Sequence, residues 1–197
     1  VDHENALFAG RRYVLWGRGA TGGALGAACA RHGFTTLGDP LAMVSDEPAS
    51  SVVRDGVEVR RVTDAAGFSD FVRVAKLAYV EAGLPEAIAS SLRARAEAAM
   101  MSAVIAVAHL DGEPVSAALS ITNGITGTGG VYWVGTVPGA RRRGAAESVT
   151  RFVTNAAFEQ GSCIVTLQAT EAGAPLYARL GYREVGRYTQ FLSPKSP

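Results

Sequence analysis

Three observations predict a mixed α/β fold: alternating apolar residues over 57–62, an Asp-Gly hairpin signal inside 103–121, and a strand running into a helix over 131–161, with further strand and helix patterns beyond. The chain has 197 residues, enough for one domain and an extra subdomain but not for two full-sized enzymatic domains. Hydrophobic residues make up 48% and charged residues 19%, so a sizeable core can form and no polar tract marks disorder.

The amino-terminal piece opens with the apolar run Tyr13-Val14-Leu15-Trp16, followed by an Ala- and Gly-rich segment of helical composition at 20–32. Gly33 falls where a helix would end in the left-handed conformation. Residues 34–44 read as extended with a break at Gly38-Asp39-Pro40, and 45–51 read as a linker or exposed loop.

The main region begins with the alternating strand at 57–62, and Thr63 with Asp64 supplies a helix amino-cap. Phe68, Phe71, Val72, Ala75, Leu77 and Ala78 recur at helical spacing after it. Gly83-Leu84-Pro85 breaks that helix, and Pro85 suits the first turn of a second one over 86–100. Strands at 103–110 and 114–121 flank Asp111-Gly112, a pair that tolerates the positive φ angles of a tight turn. A Gly/Thr/Asn loop is expected at 122–130 and a strand at 131–137. The helix at 144–161 carries an apolar stripe of Val149, Phe152, Val153, Ala156 and Ala157. A strand at 163–168, a short helix at 172–180 and a final extended region at 182–192, counted as two strands, complete the order β-α-α-β-β-β-α-β-α-β-β.

Composition also excludes function classes. Nineteen Lys plus Arg against eighteen Asp plus Glu give a net charge of +1, and outside Arg141, Arg142 and Arg143 no basic stripe carries interleaved aromatics, so no nucleic-acid partner is expected. Cys29 and Cys163 stand far apart without metal-ligand spacing, which implies neither a zinc site nor a disulfide framework and suits a reducing compartment. The apolar run at 100–110 is about half of the roughly 20 residues that cross a bilayer, and no signal segment is visible. A cytoplasmic protein without a membrane partner is expected. His3, His32 and His109 read as surface residues rather than ligands.

The segment richest in chemistry runs from Val131 to Ala146. An apolar strand enters a short turn of small residues and arginines, and a helix starts at once, which aims several backbone N–H groups and a positive dipole end at one spot. A diphosphate suits such a spot, and Gly144, Ala145 and Ala146 leave room for it to approach the backbone. A solvated arginine turn that serves solubility is the plainer alternative.

This run resembles the cofactor motif of the GNAT superfamily of N-acetyltransferases, in which Arg or Gln, two residues, Gly, one residue, and Gly or Ala follow one another; Arg141, Gly144 and Ala146 fill those positions, with Pro138 before them. Residues 170–182, with Tyr177 and then Leu180-Gly181-Tyr182, resemble the family's later motif. The resemblance covers about 57–193 and implies a GNAT-type fold in that region, with acetyl-coenzyme A as co-substrate and a primary amine, on a small molecule or a protein, as acceptor. It implies that Val134, Gly135 and Thr136 align the pantetheine arm and thioester through their backbone. Arg141, Arg142, Arg143, Gly144, Ala145, Ala146 and Glu147 would hold the pyrophosphate, and Tyr177 would protonate the departing thiolate. Thr170 stands seven residues before the tyrosine, where many members place Asn, and is carried over as a cofactor contact. No carboxylate lies on the strand at 163–168, so the base is a water chain, Glu81, Glu86, or absent.

Residues 1–50 have two readings. Ala30-Arg31-His32-Gly33-Phe34 parallels Ala178-Arg179-Leu180-Gly181-Tyr182, either through shared helix-stop chemistry or because 1–50 is a degenerate, partial copy of the 57–193 domain. Gly17-Arg18-Gly19-Ala20-Thr21-Gly22, after an apolar strand and with Asp39 downstream, also resembles a dinucleotide-binding fingerprint. Glycines needed for close packing of helix on sheet would leave the same trace. A non-catalytic acyl-coenzyme A sensor or interaction domain is a further alternative for the whole chain, and a homodimer is the base-rate expectation.

Overall fold

The computed structural model describes residues 12–52, 54–84, 86–89, 92–99 and 102–194. Among them are nine strands and six α-helices, divided into two compact units. One unit comprises 1–43, 168–175 and 183–197; the other comprises 44–167 and 176–182.

In the first unit β1 (Val14–Arg18) leads into α1 (Gly19–Arg31), then β2 (Thr35–Gly38) and β3 (Leu41–Ser45). The carboxyl-terminal strand β9 (Arg183–Leu192) completes it, antiparallel to β1 with Val14 opposite Leu192 and to β2 with Thr35 opposite Leu192. Cys29, Phe34 and Phe191 form its core, with Tyr13, Leu15 and Leu25 against them. The final extended region is therefore one ten-residue strand rather than two, because β9 has partners along both of its edges. The helix-stop parallel holds atom for atom. Gly33 and Gly181 are both left-handed, and Phe34 N–H donates to Cys29 O at 3.0 Å as Tyr182 N–H donates to Tyr177 O at 3.1 Å.

In the second unit β4 (Val57–Arg61) is followed by α2 (Ala65–Glu81), capped by the Asp64 carboxylate, which accepts from Gly67 N–H at 2.8 Å. The helix expected over 86–100 is two pieces, α3 (Glu86–Ala89) and α4 (Leu92–Ala99); Pro85 and Met100 lie outside the described residues, as does His3. Then come β5 (Ala103–Leu110), β6 (Glu113–Asn123), β7 (Thr128–Thr136), a 3₁₀ turn (Pro138–Ala140), α5 (Ala145–Glu159), β8 (Ile164–Ala169) and α6 (Ala174–Arg179). The sheet order is β8-β7-β6-β5-β4, antiparallel except for the β7–β8 pair. The loop after β6 is shorter than expected because the Asn123 side chain accepts from Ile125 and Thr126 N–H and turns the chain within four residues.

Each face of this sheet carries a helical layer. Phe68, Phe71, Val74 and Ala75 of α2 and Leu92 and Ala96 of α4 pack against Ile105, Val107, Ala117 and Leu119. Leu77, expected in that stripe, is 50% exposed; Val74, one turn earlier on the buried face, takes the core position. α5 packs against β5, β6 and β7. His109, expected at the surface, is buried on β5 opposite Glu58, and its Nδ1 has no partner among the described residues.

The segment expected as a linker or exposed loop is mostly exposed and without regular structure beyond β3, and it lies along α5 as a strap. Asn155 exchanges two hydrogen bonds with the Ala49 backbone at 2.8 and 3.1 Å, Arg151 Nη1 donates to Ser50 O, and Arg54 reaches Glu147. Residues 147, 151 and 155 form one ridge of the helix at four-residue spacing. The strap runs antiparallel to that ridge and gives each of its three side chains a hydrogen-bond partner.

Candidate acyl-donor site

The site is built where β7 loses a neighbour. β8 pairs with β7 only through Thr128–Ile164, Gly129–Val165 and Gly130–Thr166, so the edge of residues 131–136 on that side has no partner within the unit's ladders. On the other edge, Ala117 of β6 faces Gly135 and Leu119 faces Tyr132, so Trp133 and Val134 together oppose Ala118. This is a β-bulge, with Trp133 at φ +59°, and it re-aims the strand at the point where its edge becomes open. Ser116 holds the far end in place: its buried Oγ donates to Gly135 O at 2.9 Å and lies 2.8 Å from Thr136 Oγ1. Gly135 is required by crowding, since a Cβ there would sit 2.8 Å from the Cβ of Ala78.

Beyond β7 the 3₁₀ turn leads through Arg142 (φ +63°) and Gly144 (φ +86°) into α5. Ser148 N–H donates to Gly144 O in the helix's first intrahelical bond, so the amides of 144–147 are the donors left free at its start. Alanine at 145 and 146 keeps the approach short. The three arginines differ in what they do. Arg141 pairs with Glu81 and donates weakly to Thr136 O, Arg143 lies 3.4 Å from Asp111, and Arg142 makes no side-chain bond among the described residues.

Glu147 lies in the first turn of α5 and is only 7% exposed. Arg54 Nη2 donates to both of its oxygens, at 3.0 and 2.9 Å, and Arg151 Nη2 donates at 2.8 Å; Arg179 Nε stands 4.0 Å away. Burial alone would push this carboxyl up, but the hydrogen bonds and charges of Arg54 and Arg151 outweigh it and hold the group below the ordinary glutamate value. Its carboxylate is spent on arginines.

Tyr177 of α6 is buried, its ring edge-on to Tyr182 at 6.2 Å. Burial, with the neighbouring Tyr79 and Tyr182, pushes its hydroxyl well above the ordinary tyrosine value. Tyr182 is raised by burial despite its 2.8 Å hydrogen bond with Thr154, and burial pushes Tyr79 up to about 12. Tyr79 packs on Trp133, ring centres 5.8 Å apart, and beside Gly135. Tyr79 therefore packs against the bulged strand.

Thr170 belongs to the first unit, where its Oγ1 accepts from Gly173 N–H at 3.1 Å and shapes the turn before α6. The two candidate bases are both engaged, Glu81 with Arg141 and Glu86 with Lys76 at 2.9 Å. The Gly17–Gly22 fingerprint is a packing device. A Cβ on Gly17 would lie 2.7 Å from Gly22 Cα, one on Gly26 would lie 3.2 Å from Phe191, and β1 pairs antiparallel with β9, whereas a dinucleotide crevice needs parallel neighbours.

Arg54, Tyr79 and Ser116 do not emerge from the sequence. Arg54 is 93 residues from Glu147, and only the ridge Glu147–Arg151–Asn155 at four-residue spacing on α5 signals that something must cover it.

Comparison with known proteins bears on the family and the fold. Residues 58–185 match the sequence model of the acetyltransferase (GNAT) domain. The fold is similar to that of a GCN5-related N-acetyltransferase from Kribbella flavida, with a TM-score of 0.73 and 22% identity over 99% of this chain and 74% of that one. It is also similar to a GCN5-related N-acetyltransferase from Sphaerobacter thermophilus, with a TM-score of 0.70 and 20% identity over 100% of this chain and 64% of that one, so the chain spans less than two thirds of that relative. No curated protein matches. No helix among the described residues is long and apolar enough to cross a membrane. A strand bulged beside an open edge, feeding the free amides of α5, together with the match over 58–185, assigns the chain to the GNAT family of acetyltransferases.

Proposed function

We propose that the protein transfers an acetyl group from acetyl-coenzyme A to a primary amine by direct attack within a ternary complex. The observation that carries this reading is the divergence of β8 from β7 after Gly130–Thr166, next to the bulge at Trp133 and the free amides of α5. An extended pantetheine arm can add to the open edge of 131–136 through backbone hydrogen bonds, as a strand would. The diphosphate then falls at the amides of 144–147, with Arg141, Arg142 and Arg143 adding charge around it.

A thioester is already activated, so the chain needs to hold an uncharged amine against the carbonyl and supply donors to the oxyanion. The amine nitrogen bonds to the acetyl carbon, and collapse of the tetrahedral adduct breaks the C–S bond. Tyr177 gives its proton to the departing sulfur and recovers one, through water, from the nitrogen that has become an amide. Its hydroxyl is protonated at neutral pH, as a donor must be, and burial only raises its pKa further. With Glu81 and Glu86 held in ion pairs, solvent takes the proton that the amine loses before attack.

The direct test is a thermal-shift comparison of acetyl-coenzyme A with NAD(H) and NADP(H) on the purified chain. A ligand at 100 times its dissociation constant adds about 2.7 kcal/mol, or roughly 5 to 10 °C for a chain of this size. Stabilisation by acetyl-coenzyme A alone is expected; a shift with a nicotinamide cofactor and none with acetyl-coenzyme A would overturn the reading. Release of free thiol that depends on an added amine then separates a transferase from a binding-only domain.

A further inference from the structure

We propose that Arg54, which lies outside the family-matched segment, is a phosphate ligand of the acyl-donor site through the donors that its pairing with Glu147 leaves unused. The inference rests on the acetyl-coenzyme A reading above. Glu147 sits in the first turn of the helix at which the diphosphate would dock, and a bare carboxylate there would repel it. Arg54 and Arg151 remove that repulsion and leave the cluster with an excess of positive charge.

The geometry leaves Arg54 able to do more than neutralise. It spends only Nη2 on the two Glu147 oxygens, and its Nε and Nη1 donors have no protein acceptor among the described residues. Its side chain is 46% exposed and lines open grooves on both sides, one with Ser148 and Arg151, the other with Asp55 and His109. Its stem lies across Gly144, the left-handed residue that opens α5, with Cγ 3.1 Å from where a Cβ would stand, and its guanidinium reaches Glu147 in the first turn. A second, independent sign of a missing acceptor is Arg151: more than nine-tenths buried, it keeps an Nε–H without a partner in the same cluster. A planar fork can hold a carboxylate with one edge and an anionic oxygen with the other; an ammonium cannot do so in fixed geometry.

The test measures donor binding calorimetrically, and turnover with an amine, on the full chain as wild type, Arg54→Ala, Arg54→Lys, Glu147→Gln and the double variant. S-acetylpantetheine, a thioester without phosphate, serves as the second donor. Arg54→Ala is expected to weaken acetyl-coenzyme A about 10-fold or more, as loss of a charge-assisted hydrogen bond does, while kcat at saturation and kcat/KM for S-acetylpantetheine stay within about twofold. The same factor should be lost when Arg54→Ala is made in the Glu147→Gln background, and Arg54→Lys should fall between. If Glu147→Gln abolishes the effect of Arg54→Ala, Arg54 is only a counter-charge and the proposal fails. It fails too if both donors weaken equally, or if acetyl-coenzyme A binds both proteins alike. Wild type that binds no acetyl-coenzyme A overturns the acyltransferase reading itself, an outcome distinct from these.

Discussion

Ser116 Oγ and Thr136 Oγ1 lie 2.8 Å apart, and the same serine donates to Gly135 O, so one buried hydroxyl on β6 fixes the end of the strand that would align the thioester. Ser116→Ala should cost about 1 kcal/mol of stability and leave Thr136 without this partner. Donor KM should rise more than kcat falls, because the lost contact fixes the donor's edge rather than the reacting atoms. Chemical denaturation and steady-state kinetics check both parts, and a fall in kcat alone would count against this placement.

Gly135→Ala tests the crowding on the opposite face. The added methyl would meet Ala78 Cβ at 2.8 Å, inside any normal contact, so α2 or β7 must shift. Overpacking of this kind costs about 1–3 kcal/mol. The Tyr79–Trp133 contact beside it should loosen as well, which Trp133 fluorescence would report.

Tyr177→Phe should lower kcat about 10- to 1000-fold and change acetyl-coenzyme A affinity little. Because burial holds the Tyr177 hydroxyl above its ordinary value, no loss of activity attributable to it should occur below about pH 10. A pH–rate profile of the wild type checks the second point. Unchanged turnover in the variant would remove Tyr177 from the chemistry and leave it as a packing residue against Tyr182.

Glu147 predicts acid sensitivity of a definite sign. Its folded pKa is lowered, so the folded state binds this proton less readily than the unfolded chain does. The stabilisation is complete above the unfolded value of about 4.3 and is lost as pH falls through the lower folded value. Urea midpoints of wild type and Glu147→Gln should differ most near neutrality and converge in acid. Glu147→Ala, which leaves buried Arg151 without its partner, should cost about 3 kcal/mol.

Local chemistry was legible in the sequence wherever it is carried by neighbours along the chain. Asp64 as a cap, Asp111-Gly112 as a turn, Gly33 as a stop and the 141–146 junction all work within a few residues, and each stands where its pattern places it. Long-range pairing was not legible. The break of 86–100 into two helices, the single β9 and the Ser116 anchor depend on what packs against them. Glu147 shows the division most clearly. Its place in the donor motif is visible in sequence, but its partner Arg54 lies just beyond the 45–51 segment that reads as a linker or exposed loop, where no pattern marks it.

The strap also bears on where the catalytic piece of this chain begins. An excised fragment holding only the family-matched 58–185 would retain every residue of the donor motif and the tyrosine, yet it would sever Ala49, Ser50 and Arg54 from Asn155, Arg151 and Glu147. Two ionised side chains matured in a sheltered setting would then meet water on one flank of α5. The match begins at residue 58, whereas the contacts that cover this ridge of α5 begin at Ala49.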